Sequence, residues 1–278
     1  MPELPDLVYL EKKLSSYLSG QTIQSVDLKE PIVLRQLVEG DFAERLAGKQ
    51  FLNVRRHGPF MIFDLSDALS LVIHPMLAGK FHYSAEHNRK GRGLCFTLKL
   101  ENNEAFSYSD DKKMGKVYLV EEKGKKQIPM FANQGRNIMD TSFDQGFFLS
   151  LIKGQRKQVR VFLMDQTKLS AIGNAYADEI LFDAGIHPKT LCSQLSDQEK
   201  AGLFKSIKGV MRWGIEHVDA ARQPIDVKVR DHVKVRNRKD QPCPRCGTTI
   251  RRAGVLGYDA FFCPKCQPIR RSQFIEWK

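Results

Sequence analysis

Four of the six cysteines stand in two identical knuckles, Cys243-Pro-Arg-Cys246 and Cys263-Pro-Lys-Cys266, with 16 residues between them. Two such turns bring together four thiolates, the soft tetrahedral donor set that Zn2+ takes in structural sites. Four thiolates close the coordination sphere and leave no position for a reactive water, so one structural Zn2+ here would stabilise a module too small to build its own core. The N-terminus lacks the basic-then-apolar layout of a signal peptide, so a non-secreted chain is expected, and free or disulfide-linked cysteines suit it less well. Cys95 and Cys192 stand alone. A second place where chemistry is possible is the start, Met1-Pro2-Glu3-Leu4-Pro5-Asp6. Initiator methionine is normally removed before a small residue such as proline, which would leave Pro2 as a free secondary amine. An α-amino group titrates near pH 8, so much of it is neutral and nucleophilic at physiological pH. Attack of a secondary amine on a sugar C1′ leads to a cationic iminium, and the carboxylic acid of Glu3 is placed for general acid–base work beside it. Taken by itself, a proline at position two is common and carries no message.

Elements must position these groups. Leu7, Leu10, Leu14 and Leu18 recur at helical spacing, so 6–18 is expected to be an amphipathic helix ended by Gly20, with Pro2 and Pro5 outside a helix interior. From 22 to 125 the pattern changes to short apolar runs (Thr22–Val26, Phe60–Leu65, Leu69–His74, Leu94–Leu100, Lys116–Val120) separated by Gly, Asn, Asp and Ser. These are expected to be strands of an antiparallel sandwich or barrel. Residues 126–145, with Pro129, Asn133, Gly135 and Asn137, have the weak periodicity of a linker. Residues 146–220 are expected to be helical, 223–242 form a basic loop, and the cysteine module follows as a hairpin: Thr248–Arg252 outward, a turn near Leu256–Asp259, and Ala260–Phe262 back. The division expected is 1–130, a linker 131–145, then 146–237, 238–268, and a tail 269–278.

The 278 residues carry 44 Lys or Arg against 32 Asp or Glu, a net charge of +12, and +8 of it lies in residues 226–278. That balance favours a polyanionic partner, nucleic acid before an anionic membrane. No apolar run approaches the ~18 residues of a membrane span, and 42% hydrophobic residues suffice for real cores.

Three segments together resemble the formamidopyrimidine-DNA glycosylase and endonuclease VIII family of base-excision repair enzymes. They are the opening Met1-Pro2-Glu3-Leu4-Pro5, the stretch Ala171-Ile172-Gly173-Asn174-Ala175-Tyr176-Ala177-Asp178-Glu179 continuing to Gly185-Ile186-His187-Pro188, and the cysteine module ending Cys263–Gln267. The resemblance implies an α+β multidomain fold: an N-terminal β-sandwich with flanking helices, a helical helix–two-turn–helix domain, and a C-terminal zinc-finger hairpin, with DNA bound in the cleft between them. It implies a cytoplasmic, nucleoid-associated monomer acting on double-stranded DNA that contains damaged bases or abasic sites. It further implies that Pro2 attacks C1′ of a flipped-out nucleotide, that Glu3 assists sugar-ring opening, and that β,δ-elimination nicks the strand. Asn174 is implied to hold a phosphate, although a capping role is the plain alternative. Arg160 occupies a position usually basic near DNA, or lies on a solvated helix face.

The chain departs from the family at DNA contacts. Pro59, in Arg55-Arg56-His57-Gly58-Pro59-Phe60, falls where the family carries a phosphate-binding lysine, a loss unless His57 or Arg56 substitutes. Tyr258, in Gly257-Tyr258-Asp259, replaces a finger arginine, and it stacks or donates one hydrogen bond but forms no bidentate clamp. Leu77 and Met114 align with residues that fill the space of a flipped base, and Lys113 with an arginine facing the orphan base. Arg245, Arg251, Arg252 and Lys265 surround the cysteines, and the expectation is a basic clamp on the DNA backbone, with a scaffold whose charges simply face water as the plain alternative. The expectation is therefore a bifunctional glycosylase and abasic-site lyase, a divergent paralogue with a preference shifted from oxidised guanine. A non-catalytic damage-binding protein on the same scaffold is the alternative, and a zinc-ribbon protein that binds RNA or protein is a third reading that requires three coincidences.

Overall fold

The computed structural model describes residues 1–85 and 92–269. Most of the expected tail, Trp277 included, lies outside the described residues. The chain forms two compact units, Met1–Gln134 with Ile215–Val229, and Gly135–Gly214 with Arg230–Lys278.

In the first unit, helix α1 (Leu4–Leu18) buries Leu7, Leu10, Leu14 and Leu18 along one face. It starts two residues earlier than the periodicity suggests. Pro5 sits in its first turn, where a missing N–H costs nothing because those amides lack intrahelical acceptors anyway. Among the described residues, a short helix α2 (Phe42–Leu46) and nine strands follow: β1 (Ile23–Leu28), β2 (Leu34–Gln36), β3 (Phe51–His57), β4 (Phe60–Leu65), β5 (Leu69–His74), β6 (Lys80–Ser84), β7 (Leu94–Leu100), β8 (Ala105–Ser109) and β9 (Lys116–Glu121). One sheet runs β1-β7-β8-β6, the other β2-β9-β5-β4-β3. All pairs are antiparallel except β2 with β9. Rings from the two inner faces interlock: Phe51 and Phe63 from the five-stranded sheet meet Phe106 and Phe81 from the four-stranded one, with Phe63 and Phe106 centroids 5.1 Å apart. This is a sandwich core. The outer face of the five-stranded sheet is also covered, since Phe60, Ile62, Val72, Tyr118 and Val120 pack under Ile128 and Phe131. Strands buried on both faces read as continuous apolar runs, which is why β4, β5, β7 and β9 were legible. Strands β3, β6 and β8 mix Asn, Arg, His and Ser with the apolar positions and were missed.

The second unit holds α3 (Gln145–Ile152), α4 (Val159–Leu163), α5 (Asn174–Asp183) and most of α6 (Asp197–Ala220). Gly185 ends α5 with φ +68°, the left-handed cap that a Cβ disfavours. The finger hairpin is β10 (Arg251–Val255) and β11 (Tyr258–Phe262), joined by Leu256-Gly257. The turn is therefore tighter, and the outward strand later, than expected. Gly257, at φ +80°, permits a two-residue connection. No helix among the described residues is long and apolar enough to cross a membrane.

Candidate active site and metal centre

In the first unit, Pro2 and Glu3 precede α1 and both are buried. The Glu3 N–H donates to Asp6 Oδ2 at 2.8 Å, which fixes the chain direction at the helix start. Pro2 lines a small cavity of about 30 Å³ together with Asp6, Tyr9, Phe81, Asp226 and Lys228, room for a water or two. The terminal amine of Met1 donates to the Leu77 carbonyl at 3.3 Å. Burial and the adjacent Lys228 ammonium lower that amine from 8.0 to about 6, against Glu3 and Asp6, which raise it.

The same unit presents two loops. Burial, aided by Lys116, lowers His74 from 6.5 to about 4, so the ring is neutral and its Nδ1 accepts the Met76 N–H at 3.0 Å. Met76 is left-handed at φ +47°, and Leu77 emerges 51% exposed. The second loop is wound around buried Asp110, whose carboxylate accepts the N–H groups of Lys112 and Gly115. Met114 emerges 42% exposed. Lys113 pairs with Glu30 at 2.8 Å. The buried Tyr108 hydroxyl lies under both loops, since a Cβ on Gly79 or on Gly115 would collide with it.

The departures from the resemblance take definite form here. Pro59 is buried at the β3–β4 turn. His57 Nε2 bonds the Phe131 carbonyl at 2.8 Å and its ring packs on Phe131. Arg56 pairs with Glu11 at 3.2 Å. Both candidate substitutes for the missing lysine are thus engaged within the protein.

In the second unit, Asn174 opens α5 after the extended Gly173. The preceding turn is shaped by Gln166, whose carboxamide accepts from Ala171 N–H and donates to the Ile172 carbonyl, both at 2.8 Å. Arg160 is not on a solvated helix face. It is 1% exposed and donates to Asp178 Oδ1, Asn174 Oδ1 and the Asp259 carbonyl at 2.8, 2.8 and 2.9 Å. A guanidinium only donates, so the Asn174 oxygen faces Arg160 and the amide NH2 is turned away from it. Arg236 completes the cluster, bonding Asp178 Oδ2 and the Asp259 carbonyl at 2.8 Å each. Burial raises the proton affinity of Asp178, and the two guanidinium groups oppose this. Glu179 accepts the N–H groups of Lys234, Val235 and Arg236 at 2.9, 2.9 and 3.0 Å. The adjacent acids Asp178 and Glu179 in an otherwise apolar helix were the available signal for this organising role, which the sequence reading missed along with those of Gln166, Tyr108, His74 and Lys228.

The four cysteine Sγ atoms lie within 4.8 Å of one another. Individual separations are 3.9 Å for Cys243–Cys266, 3.5 Å for Cys246–Cys263 and 3.4 Å for Cys246–Cys266. A tetrahedron with Zn–S bonds of 2.3 Å has edges of about 3.8 Å, so the donor set fits one structural Zn2+. Each knuckle turns an N–H onto sulfur, Arg245 onto Cys243 and Cys266 onto Cys263, at 3.4 Å. The cysteines pack with Phe182, Val235, Ile250 and Phe261. Arg245 lies over the Phe182 ring at 4.4 Å and bonds its carbonyl, so it docks the finger on α5. Arg251, Arg252 and Lys265 are exposed. Tyr258 stands 57% exposed beside the hairpin tip, and Asp259 next to it pairs with Arg252 at 3.3 Å.

Comparison with known proteins agrees with this architecture. The model of the formamidopyrimidine-DNA glycosylase N-terminal domain matches residues 1–117, that of its H2TH domain 135–223, and that of a zinc finger found in FPG and IleRS 240–269. A formamidopyrimidine-DNA glycosylase of Desulforamulus reducens is 32% identical over 274 residues, covering 96% of this chain and 99% of its own. One of Bacillus subtilis is 30% identical over 282 residues, with 96% and 99% coverage. Among solved structures, a complex of the wild-type Lactococcus lactis protein with DNA containing an oxidised pyrimidine superposes with a TM-score of 0.88 at 25% identity, covering 96% of this chain and 100% of that one. A complex of a variant of that protein with Fapy-dG DNA gives 0.87 at 25% identity with the same coverage. The chain belongs to the formamidopyrimidine-DNA glycosylase family of DNA-repair enzymes.

Proposed function

We propose that this chain is a base-excision DNA glycosylase with abasic-site lyase activity whose nucleophile is the amine of Pro2, uncovered by removal of Met1. The observation that carries the reading is the desolvated N-terminus, with Pro2 in the wall of a small cavity and Glu3 buried beside it. The Pro2 nitrogen pair forms a bond to C1′ of a flipped-out damaged nucleotide as the glycosidic bond breaks and its electron pair leaves with the base. Loss of the N–H proton and protonation of O4′, with Glu3 as the acid, open the sugar to a cationic iminium. Removal of a C2′ proton then expels the 3′ phosphate, and a second elimination releases the 5′ phosphate. Leu77 and Met114 fill the vacated space, Lys113 faces the orphan base, and the Asn174 amide binds phosphate with Arg160 orienting it. Arg251, Arg252 and Tyr258 of the finger meet the backbone. The domain limits remain those expected from the sequence, and the protein acts as a cytoplasmic monomer on damaged or abasic duplex DNA.

Substrate preference is shifted from oxidised guanine. Two charge-assisted phosphate contacts are replaced by Pro59 and Tyr258, each worth ~1.5–3 kcal/mol, and Met114 stands where the family has a wedge phenylalanine. Borohydride trapping over a panel of damaged and abasic oligonucleotides tests the reading. A covalent adduct mapped to the Pro2 nitrogen by peptide mass analysis is expected, and its formation is slowed at least a hundredfold in Glu3→Gln. Pro59 and Tyr258 favour a second reading, a non-catalytic damage binder, and tight binding with no adduct in fully Met1-processed protein would establish it.

A further inference from the structure

We propose that Lys228 is a positioning residue for the nucleophile: its ammonium, held beside the chain start, keeps the Pro2 amine unprotonated so that its lone pair is available at neutral pH. The proposal rests on the amine-nucleophile reading given above and adds a residue to it.

The 222–229 segment is fastened to α1 and to β6 at several points. Tyr9 Oη donates to the Gln223 carbonyl at 2.6 Å. Asp226 pairs with His82 on β6 at 3.5 Å. Val229 and Val218 pack on Tyr9, with Ala221 and Ile225 against them. These anchors lie on both sides of Lys228, so its backbone is held at the rim of the cavity that Pro2 lines. Burial and the Lys228 ammonium lower the proton affinity of the Met1 amine, and removal of Met1 moves the amine one residue inward, to the cavity that Pro2 and Lys228 both line. Other charged groups face the same place. Glu3 and Asp6 from the start of α1 favour the protonated amine, and Lys80 and Asp226 line the cavity, the latter already paired with His82. Two carboxylates beside an amine would by themselves keep it an ammonium, which has no lone pair to give. A cation lining the same cavity offsets them, and burial acts in the same direction. When the amine loses its proton to solvent, the like-charge contact with Lys228 disappears, so Lys228 stabilises the neutral form relative to the charged one. No signal in the local sequence, Asp226-Val227-Lys228-Val229, distinguishes this lysine from a solvated one.

The pH profile of single-turnover trapping on abasic duplex DNA tests the idea, with wild type, Lys228→Gln and Lys228→Arg compared after Met1 removal is verified by mass. Wild type must give an adduct; its absence sinks the amine-nucleophile reading itself. Given an adduct, Lys228→Gln is expected to move the acid limb up by about one pH unit, a loss that approaches about tenfold below the wild-type limb and shrinks as pH rises. Lys228→Arg keeps the cation and is expected to keep the wild-type limb. An unmoved acid limb in Lys228→Gln, or a loss equal at every pH, would overturn the proposal, because a residue that only binds DNA or braces the loop changes rate without changing the titration.

Discussion

The resemblance places Pro59 and Tyr258 where a phosphate-binding cation is expected, and their surroundings predict opposite outcomes of introducing one. Tyr258 is exposed on β11, and Asp259 beside it is already neutralised by Arg252. Tyr258→Arg is expected to tighten binding to abasic duplex about tenfold and to steepen the slope of log affinity against log salt by ~0.9, read by anisotropy titration at several salt concentrations. Pro59 is buried at a turn, beside His57 and Phe60 that hold Phe131. Pro59→Lys would bury a charge without a partner. It is expected to lose about 1–3 kcal/mol of stability in urea with no gain in affinity. Equal gains from the two substitutions would contradict this assignment of surroundings.

Helix α5 and the finger form one mechanical element in the second unit. Asp178 receives Arg160, Arg236 and the Phe261 N–H, and Glu179 receives three successive backbone N–H groups of the segment that enters the finger. Removing one partner of a buried ion pair leaves uncompensated charge, so Asp178→Asn is expected to cost about 3–5 kcal/mol, measured by chemical denaturation. Arg160 also holds Asn174, so the same variant should weaken DNA binding beyond its effect on stability. Zinc removal by a chelator takes away the four-thiolate anchor of a core shared with Phe182 and Val235. The expected outcome is a lower melting temperature and loss of DNA binding, both regained on adding Zn2+.

Across the whole molecule, charge and acid stability follow from where ionisable groups are placed. Asp64 in the first unit is partly buried, which opposes ionisation, but its bonds to Arg55 at 2.6 Å and Lys125 at 3.1 Å prevail and lower its affinity for protons. A carboxyl depressed in the folded state binds protons more readily when unfolded. Its contribution is therefore present above its unfolded value, about pH 4, and is lost as pH falls through the folded value. Asp64→Asn is expected to lower stability at pH 7 and to flatten the acid limb of a stability–pH curve, a result that an unchanged limb would contradict.

Much of this was legible in one dimension. Cysteine spacing named the metal and the closed chemistry of its site, because coordination depends on donor type and local turn geometry. Continuous apolar runs located the strands buried on both faces, and the opening residues with the Gly173-Asn174 stretch marked the family. Strands β3, β6 and β8, half polar, were invisible because their burial depends on partners far away in the chain. The same reason hid Arg160, whose interior position exists only because Asp178, Asn174 and the Asp259 carbonyl converge on it. It also hid Lys228, which lines the same cavity as Pro2 from more than two hundred residues away in the chain. Residue type and spacing decide which reactions a chain could perform. Which charges meet, which are cancelled and which amine is desolvated are decided by long-range packing, since electrostatic energy depends on distance and burial that no local pattern records.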